Sequence, residues 1–144
     1  MTAYADQTGG HFHTMTAERC RALLASRRQG RIAWESPDGP QLLPVSYGLY
    51  NGQVAFRTSP YGVLSELKEP TRVAFEIDDI DPEAGTGWSV LVRGRAEAVT
   101  SSRELTMLWT SETGVPWAPG TRNLYILISE HTISGRVVKA PYAD

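Results

Sequence analysis

A small antiparallel β-barrel of about six strands, decorated by three helices, is the fold class that the sequence predicts. Three observations predict it. Apolar spacing changes from helical to alternating just beyond Gly30 and stays alternating over most of the remaining chain. Turn chemistry then recurs at short intervals, in Pro37-Asp38-Gly39-Pro40 and in the hairpin dipeptide Asn51-Gly52. Finally, Gly94 interrupts the longest alternating run, as a bulge or bend does where a sheet curls.

Each element follows in order. Residues 1–15 are polar, glycine-containing and aperiodic, and read as a loose arm, leaving 16–144 as a single domain. Thr16 is placed to cap a helix whose stripe is Cys20, Leu23 and Leu24 and which ends near Gly30. Arg31 to Glu35 reads as a strand, and Leu43, Val45, Tyr47 and Leu49 alternate along a second, Gln41 to Tyr50. Val54 and Phe56 carry the core face through Gln53 to Thr58, before a short helix from Gly62 to Lys68. Val73, Phe75 and Ile77 mark another strand, with Glu76 and Asp78 on its opposite face. Gly87 to Thr100 is the longest: Trp88, Val90, Val92 and Ala96 share one side, Ser89, Arg93, Arg95 and Glu97 the other. Ser101 to Thr110 spaces Leu105, Leu108 and Trp109 as a helix packed on the sheet. After a proline-rich loop at 116–120, strands Asn123 to Ser129 and Thr132 to Val138 close the domain.

Composition narrows the function. The 144 residues suffice for one domain with a real core. A net charge of −2 and a pI near 5.9 argue against a nucleic-acid binder, so Arg19, Arg21, Arg27, Arg28 and Arg31 read as solvated surface. Cys20, the single cysteine, lies in the helical stripe as a packed thiol. Neither a secretory signal nor an apolar run long enough to span a bilayer is visible, so no membrane role and a cytoplasmic address are expected. His11 and His13 on an aperiodic arm make a poor metal site, and no metal is expected. The run Asp79, Asp81, Glu83 begins like a calcium loop but lacks its glycine and closing glutamate, and reads as a solvated turn. Gly85-Thr-Gly87 lacks the third glycine of a dinucleotide fingerprint, and neither a P-loop nor a nucleophile elbow is present. With no evident acid, base or metal, any catalysis has to come from a bound cofactor.

One segment carries positive chemistry. The strand leaving Asn51-Gly52 ends in Arg57, Thr58 and Ser59 and runs into a helical turn, which sets a guanidinium, two hydroxyls and free amides around one spot. Those groups suit a phosphate; an exposed strand arginine followed by a helix start is the plainer alternative.

The segments Cys20-Arg-Ala-Leu-Leu, Gly30-Arg-Ile-Ala, Leu43-Pro-Val-Ser-Tyr47, Phe56-Arg-Thr-Ser59, Val73-Ala-Phe-Glu-Ile-Asp78, Gly87-Trp-Ser-Val-Leu-Val-Arg-Gly94 and Ile133-Ser-Gly-Arg136 come in an informative order. Together they resemble the pyridoxamine 5′-phosphate oxidase-like superfamily of flavin-binding split barrels, nearest the branch with nitroimidazole-resistance-like proteins. The resemblance implies a six-stranded split barrel of Greek-key type and a homodimer with two FMN sites at its interface. It implies that Arg57, Thr58 and Ser59 contact the phosphate and ribityl chain, followed by Leu64, and that Leu43, Pro44, Val45 and Ser46 lie along the flavin. Trp88 and Ser89 are implied near the ring, and Trp117 and Arg136 on the open side that takes a small-molecule substrate. The implied activity is a flavin-dependent oxidoreductase. The chain departs from the pattern at Val63, where many relatives carry a lysine, which leaves open a deazaflavin, a haem, or a binding protein without catalysis.

Overall fold

The computed structural model describes residues 11–110 and 124–139. It is mainly β: strands β1 (His11–Thr14), β2 (Gln29–Ser36), β3 (Gly39–Ser46), β4 (Gly48–Tyr50), β5 (Gln53–Thr58), β6 (Thr71–Asp81), β7 (Thr86–Ala98) and β8 (Leu124–Lys139). Helix α1 (Ala17–Ser26), a 3-10 helix (Val63–Lys68) and helix α2 (Ser102–Thr110) complete it. One curled antiparallel sheet runs β3-β2-β6-β7-β8-β5-β4, with β1 added on β8, so eight described strands stand where six were expected.

Local chemistry accounts for most boundaries. Thr16 caps α1 by accepting a bond from the Arg19 amide at 3.1 Å, and α1 stops at Ser26 because β2 begins at Gln29. Asn51 and Gly52 take φ of 50° and 79°, the pair of positive angles that a type I′ hairpin needs between Tyr50 and Gln53. The strand expected from Gln41 to Tyr50 is broken at Tyr47: its amide donates to the Arg28 carbonyl at 2.8 Å and its hydroxyl to the Leu24 carbonyl at 2.6 Å. Burial holds that phenol protonated, pushing it up to about 12.

Three further expectations are corrected. Within the supposed arm, His11–Thr14 is a strand, paired from His11↔Lys139 to Thr14↔Arg136. The segment after Ser59 is a six-residue 3-10 helix, whose short run of amides makes a weaker anion cradle than an α-helix start. The two closing strands are a single one, β8, which runs unbroken through Glu130 and His131. The pairing of β7 with β8 shifts between Arg93 and Gly94, where Arg93 faces Thr132 and Gly94 faces Glu130, so His131 is the bulged residue. Gly94 is required there, since a Cβ would collide with the Ser129 carbonyl.

The core fills the inside of the curl. Ile32, Val54, Phe56, Phe75, Val90, Val92, Ile126 and Ile128 are buried, joined by Leu24 of α1 and Leu67 of the 3-10 helix. Tyr47 meets Phe75 edge-on at 4.9 Å, and Trp34 donates to Glu66 at 3.0 Å, tying the 3-10 helix to β2. A smaller cluster on the outer side packs Leu105 and Leu108 of α2 against Ala55 and Tyr125. Leu42 of β3 and Ile80 of β6 are exposed on that outer face.

Candidate functional site

Arg57 sits next to last in β5, opposite Tyr125 of β8, and Thr58 beside it is buried. Alternation turns Val54, Phe56 and Thr58 away from Ala55 and Arg57, so the guanidinium lies on the outer side of the sheet. Its Nε is buried without a hydrogen-bond partner, the one side-chain nitrogen or oxygen of that kind among the described residues. A buried guanidinium nitrogen with nothing to donate to is costly unless a ligand supplies an acceptor. Ser59 Oγ, one turn on, accepts from the Tyr61 amide at 3.1 Å and so fixes the chain entering the 3-10 helix. Val63 opens that helix and is exposed, and Leu64 behind it is half-buried against the core.

Leu43 to Ser46 end β3, the edge strand hydrogen-bonded to β2. Val45 and Leu43 turn into the core, whereas Pro44 lies on the outer face opposite Arg31. The curl of the sheet brings β3 close to β5, so these residues and the Arg57 segment belong to one region.

Trp88 and Ser89 fall elsewhere. They lie near the start of β7, opposite Asp79 and Asp78 of β6 and opposite Val137 and Arg136 of β8. Arg57 pairs with Tyr125 and Ser89 with Arg136, eleven positions apart on β8. That is a contour of about 36 Å, shortened by the bend at His131. One copy of the chain therefore holds two half-sets of the expected residues, with Arg136 in the second set. Trp117 lies outside the described residues.

The second half-set includes groups to which the sequence assigns no role in a site, the arginines reading there as solvated surface. Arg27, which follows α1, places its guanidinium 5.1 Å from the centre of the Trp88 ring and donates to Asp79 at 3.2 Å. On the outer face, Arg31 Nη1 reaches Asp78 at 3.0 Å and Glu76 at 3.4 Å. Burial, then the hydrogen bond and charge of Asp78, raise Glu76 to about 7, against the opposing pull of Arg31. The i, i+2 spacing of Glu76 and Asp78 foretold a shared face, but nothing local foretold that Arg31 would bridge them. Among the described residues no His, Cys, Asp and Glu group could hold a metal ion. Asp81 closes the acidic turn by accepting from the Glu83 and Ala84 amides, both at 3.1 Å. No helix of the described residues is long and apolar enough to cross a membrane.

The family described as pyridoxamine 5′-phosphate oxidase matches residues 16–137. The chain belongs to this family. An uncharacterized protein of Mycobacterium tuberculosis is 35% identical over 88 residues, and that match spans 58% of each chain. The structure of the FAD binding protein from Mycobacterium smegmatis superposes with a TM-score of 0.71 at 29% identity, covering 87% of this chain and 98% of that one. The FAD and heme binding protein from the same organism superposes at 0.69 with 15% identity, over 91% and 76% of the two chains, a likeness of fold alone.

Proposed function

We propose that this family member binds a flavin-type cofactor, FMN first among them, and acts as an oxidoreductase on a small molecule. The observation that carries the reading is the buried, partnerless Nε of Arg57 at the end of the Phe56-Arg-Thr-Ser59 segment. The FAD-binding relative adds support from outside the chain. In this reading Arg57 donates to the phosphate and Ser59 borders it, whereas Thr58, expected to add a second hydroxyl there, turns its buried side chain to the inner side of the sheet and borders the site through its backbone alone. Leu43, Pro44, Val45 and Ser46 line the neighbouring edge, with Leu64 behind. Bound flavin supplies hydride and electron transfer, while the protein supplies position and electrostatics. FMN has one phosphate and suits one guanidinium; a deazaflavin is the alternative, since exposed Val63 removes a cation.

The separation of the two half-sets along β8 supports a homodimer, in which Trp88, Ser89 and Arg136 of one copy meet Arg57 of the other. A ligand that touches both sets then holds the dimer together by mass action. Haem gains less support, because His13 and His131 are both exposed on strands.

Titration of the purified protein with FMN, followed by removal of free flavin and a visible spectrum, tests the reading. Retained flavin bands in the parent and their loss in Arg57→Ala are expected. Equal retention in both overturns the phosphate assignment. Bound flavin that NAD(P)H never reduces would favour a non-catalytic flavin carrier, the second reading, which the exposed Val63 also fits.

A further inference from the structure

The outer face of the sheet carries a group of cations that the flavin reading does not use. Arg72 of β6 stands directly opposite Arg95 of β7, and Arg93 lies two residues along β7 on the same face. On the other side of β7, Ser129 faces Arg95 and Thr132 faces Arg93. All three arginines are exposed, and none has a hydrogen bond or ion pair among the described residues. In contrast, Arg21, Arg27 and Arg31 each hold a carboxylate. Glu76 and Glu97, the acids flanking the group along β6 and β7, stay beyond ion-pair distance, as does Glu35 at the end of β2.

Like charges directly across a strand pair oppose the pairing, so the isolated fold gains nothing from setting Arg72 against Arg95. Three guanidinium forks offer many N–H donors in fixed planes, the geometry that suits a tetrahedral oxyanion. The β-bulge at His131 of β8 lies opposite Arg93 and Gly94, beside the group, where bulges increase local twist. Ser129 and Thr132, at the two facing positions of β8, carry hydroxyls that can also donate.

We propose that Arg72, Arg93 and Arg95 form a second oxyanion site, which takes the phosphate or pyrophosphate group of a small molecule. It is distinct from the Arg57 site, because Arg95 faces Ser129 and Arg57 faces Tyr125, four positions and about 13 Å away along β8 and on its other edge. The proposal does not depend on flavin binding.

Calorimetric titration of the full chain with inorganic phosphate and with pyrophosphate tests it, comparing the parent, Arg93→Gln/Arg95→Gln, and the charge-matched control Arg28→Gln/Arg103→Gln. Saturable binding in the parent and the control is expected, with a loss of at least about tenfold in the first variant. Arg57→Met keeps this binding and the Arg93/Arg95 variant keeps its FMN affinity, so failure here and failure of the flavin reading are separable. Relief of like-charge repulsion leaves the Arg93/Arg95 variant at least as thermostable as the parent. Equal binding by all proteins, or weak binding that both double variants lose alike, would overturn the site as a diffuse surface effect. A parent that binds neither anion, with an oligomeric state that changes in the Arg93/Arg95 variant, would also overturn it and assign the arginines to a second copy of the chain.

Discussion

Arg57→Met separates stability from binding at the one position among the described residues where a buried side-chain donor is left unmet. The methionine keeps an unbranched stem of similar reach and removes the Nε that finds no acceptor. Leaving a buried polar group unsatisfied costs about 1 to 3 kcal/mol, and the residue as a whole is only half-buried, which points to the low end. At about 3 °C per kcal/mol for a domain of this size, the ligand-free variant is expected to melt about 3 °C above the parent. Its affinity for FMN moves the other way: a lost charge-assisted hydrogen bond of about 1.5 to 3 kcal/mol weakens binding roughly tenfold to a hundredfold. Scanning fluorimetry without ligand and a fluorescence titration with FMN read the two effects on one sample. A variant that melts several degrees below the parent refutes the reasoning, since the Nε then has its partner inside the fold, and one that binds FMN equally well refutes it because Arg57 then does not meet the phosphate.

Glu76→Gln is expected to alter the pH dependence of stability. A carboxyl raised to about 7 in the fold, from an ordinary value of 4.5, contributes stability that is complete below about 4.5 and is lost as pH rises through 7. The Gln variant therefore matches the parent near pH 5 and melts higher near pH 8, as measured by thermal melts across that range; a parent whose melting point does not fall relative to the variant contradicts it. Gly94→Ala forces a Cβ against the Ser129 carbonyl and should cost about 1 to 3 kcal/mol, read from urea midpoints. Arg27→Gln removes the cation over Trp88 and should change indole emission while lowering stability by less than about 1 kcal/mol; unchanged emission would mean that the contact does not persist in solution.

Local chemistry made β5 and its hairpin legible. Asn51-Gly52 permits few other conformations, and alternation fixed the limits Gln53 to Thr58 as they occur. The bulge at Gly94 was legible for the same reason, because an interior glycine in a long apolar strand needs a cause. The break at Tyr47 was not, since its two hydrogen bonds go to Leu24 and Arg28 of a different element. Strand β1 was hidden because its polar residues acquire partners only at the far end of the chain, His11 at Lys139. Glu130 and His131 fall between the two closing strands that the sequence predicts, yet β8 runs through them against β7 with His131 as its one extra residue. At the candidate site, Arg57 was visible as a chemical type, whereas the burial of its Nε arises only in the assembled sheet. The Arg31 bridge was not legible for a related reason: its partners Glu76 and Asp78 lie 45 and 47 residues further along the chain.

β8 bonds to β7 along one edge and to β5 and β1 along the other, and it is synthesised after all of them. Until it arrives, β7 and β5 each present a bare row of amides and carbonyls, and the inner faces of Val90, Val92 and Phe56 lack the cover of Ile126 and Ile128. The nascent chain thus passes through a period with two sticky edges and half a core, when pairing with a neighbouring chain competes with completion. Because so many of its contacts are long-range, assembly is also slow for a domain of this length. Yield in a cell should accordingly depend more on how fast β8 is inserted than on how stable the finished sheet is.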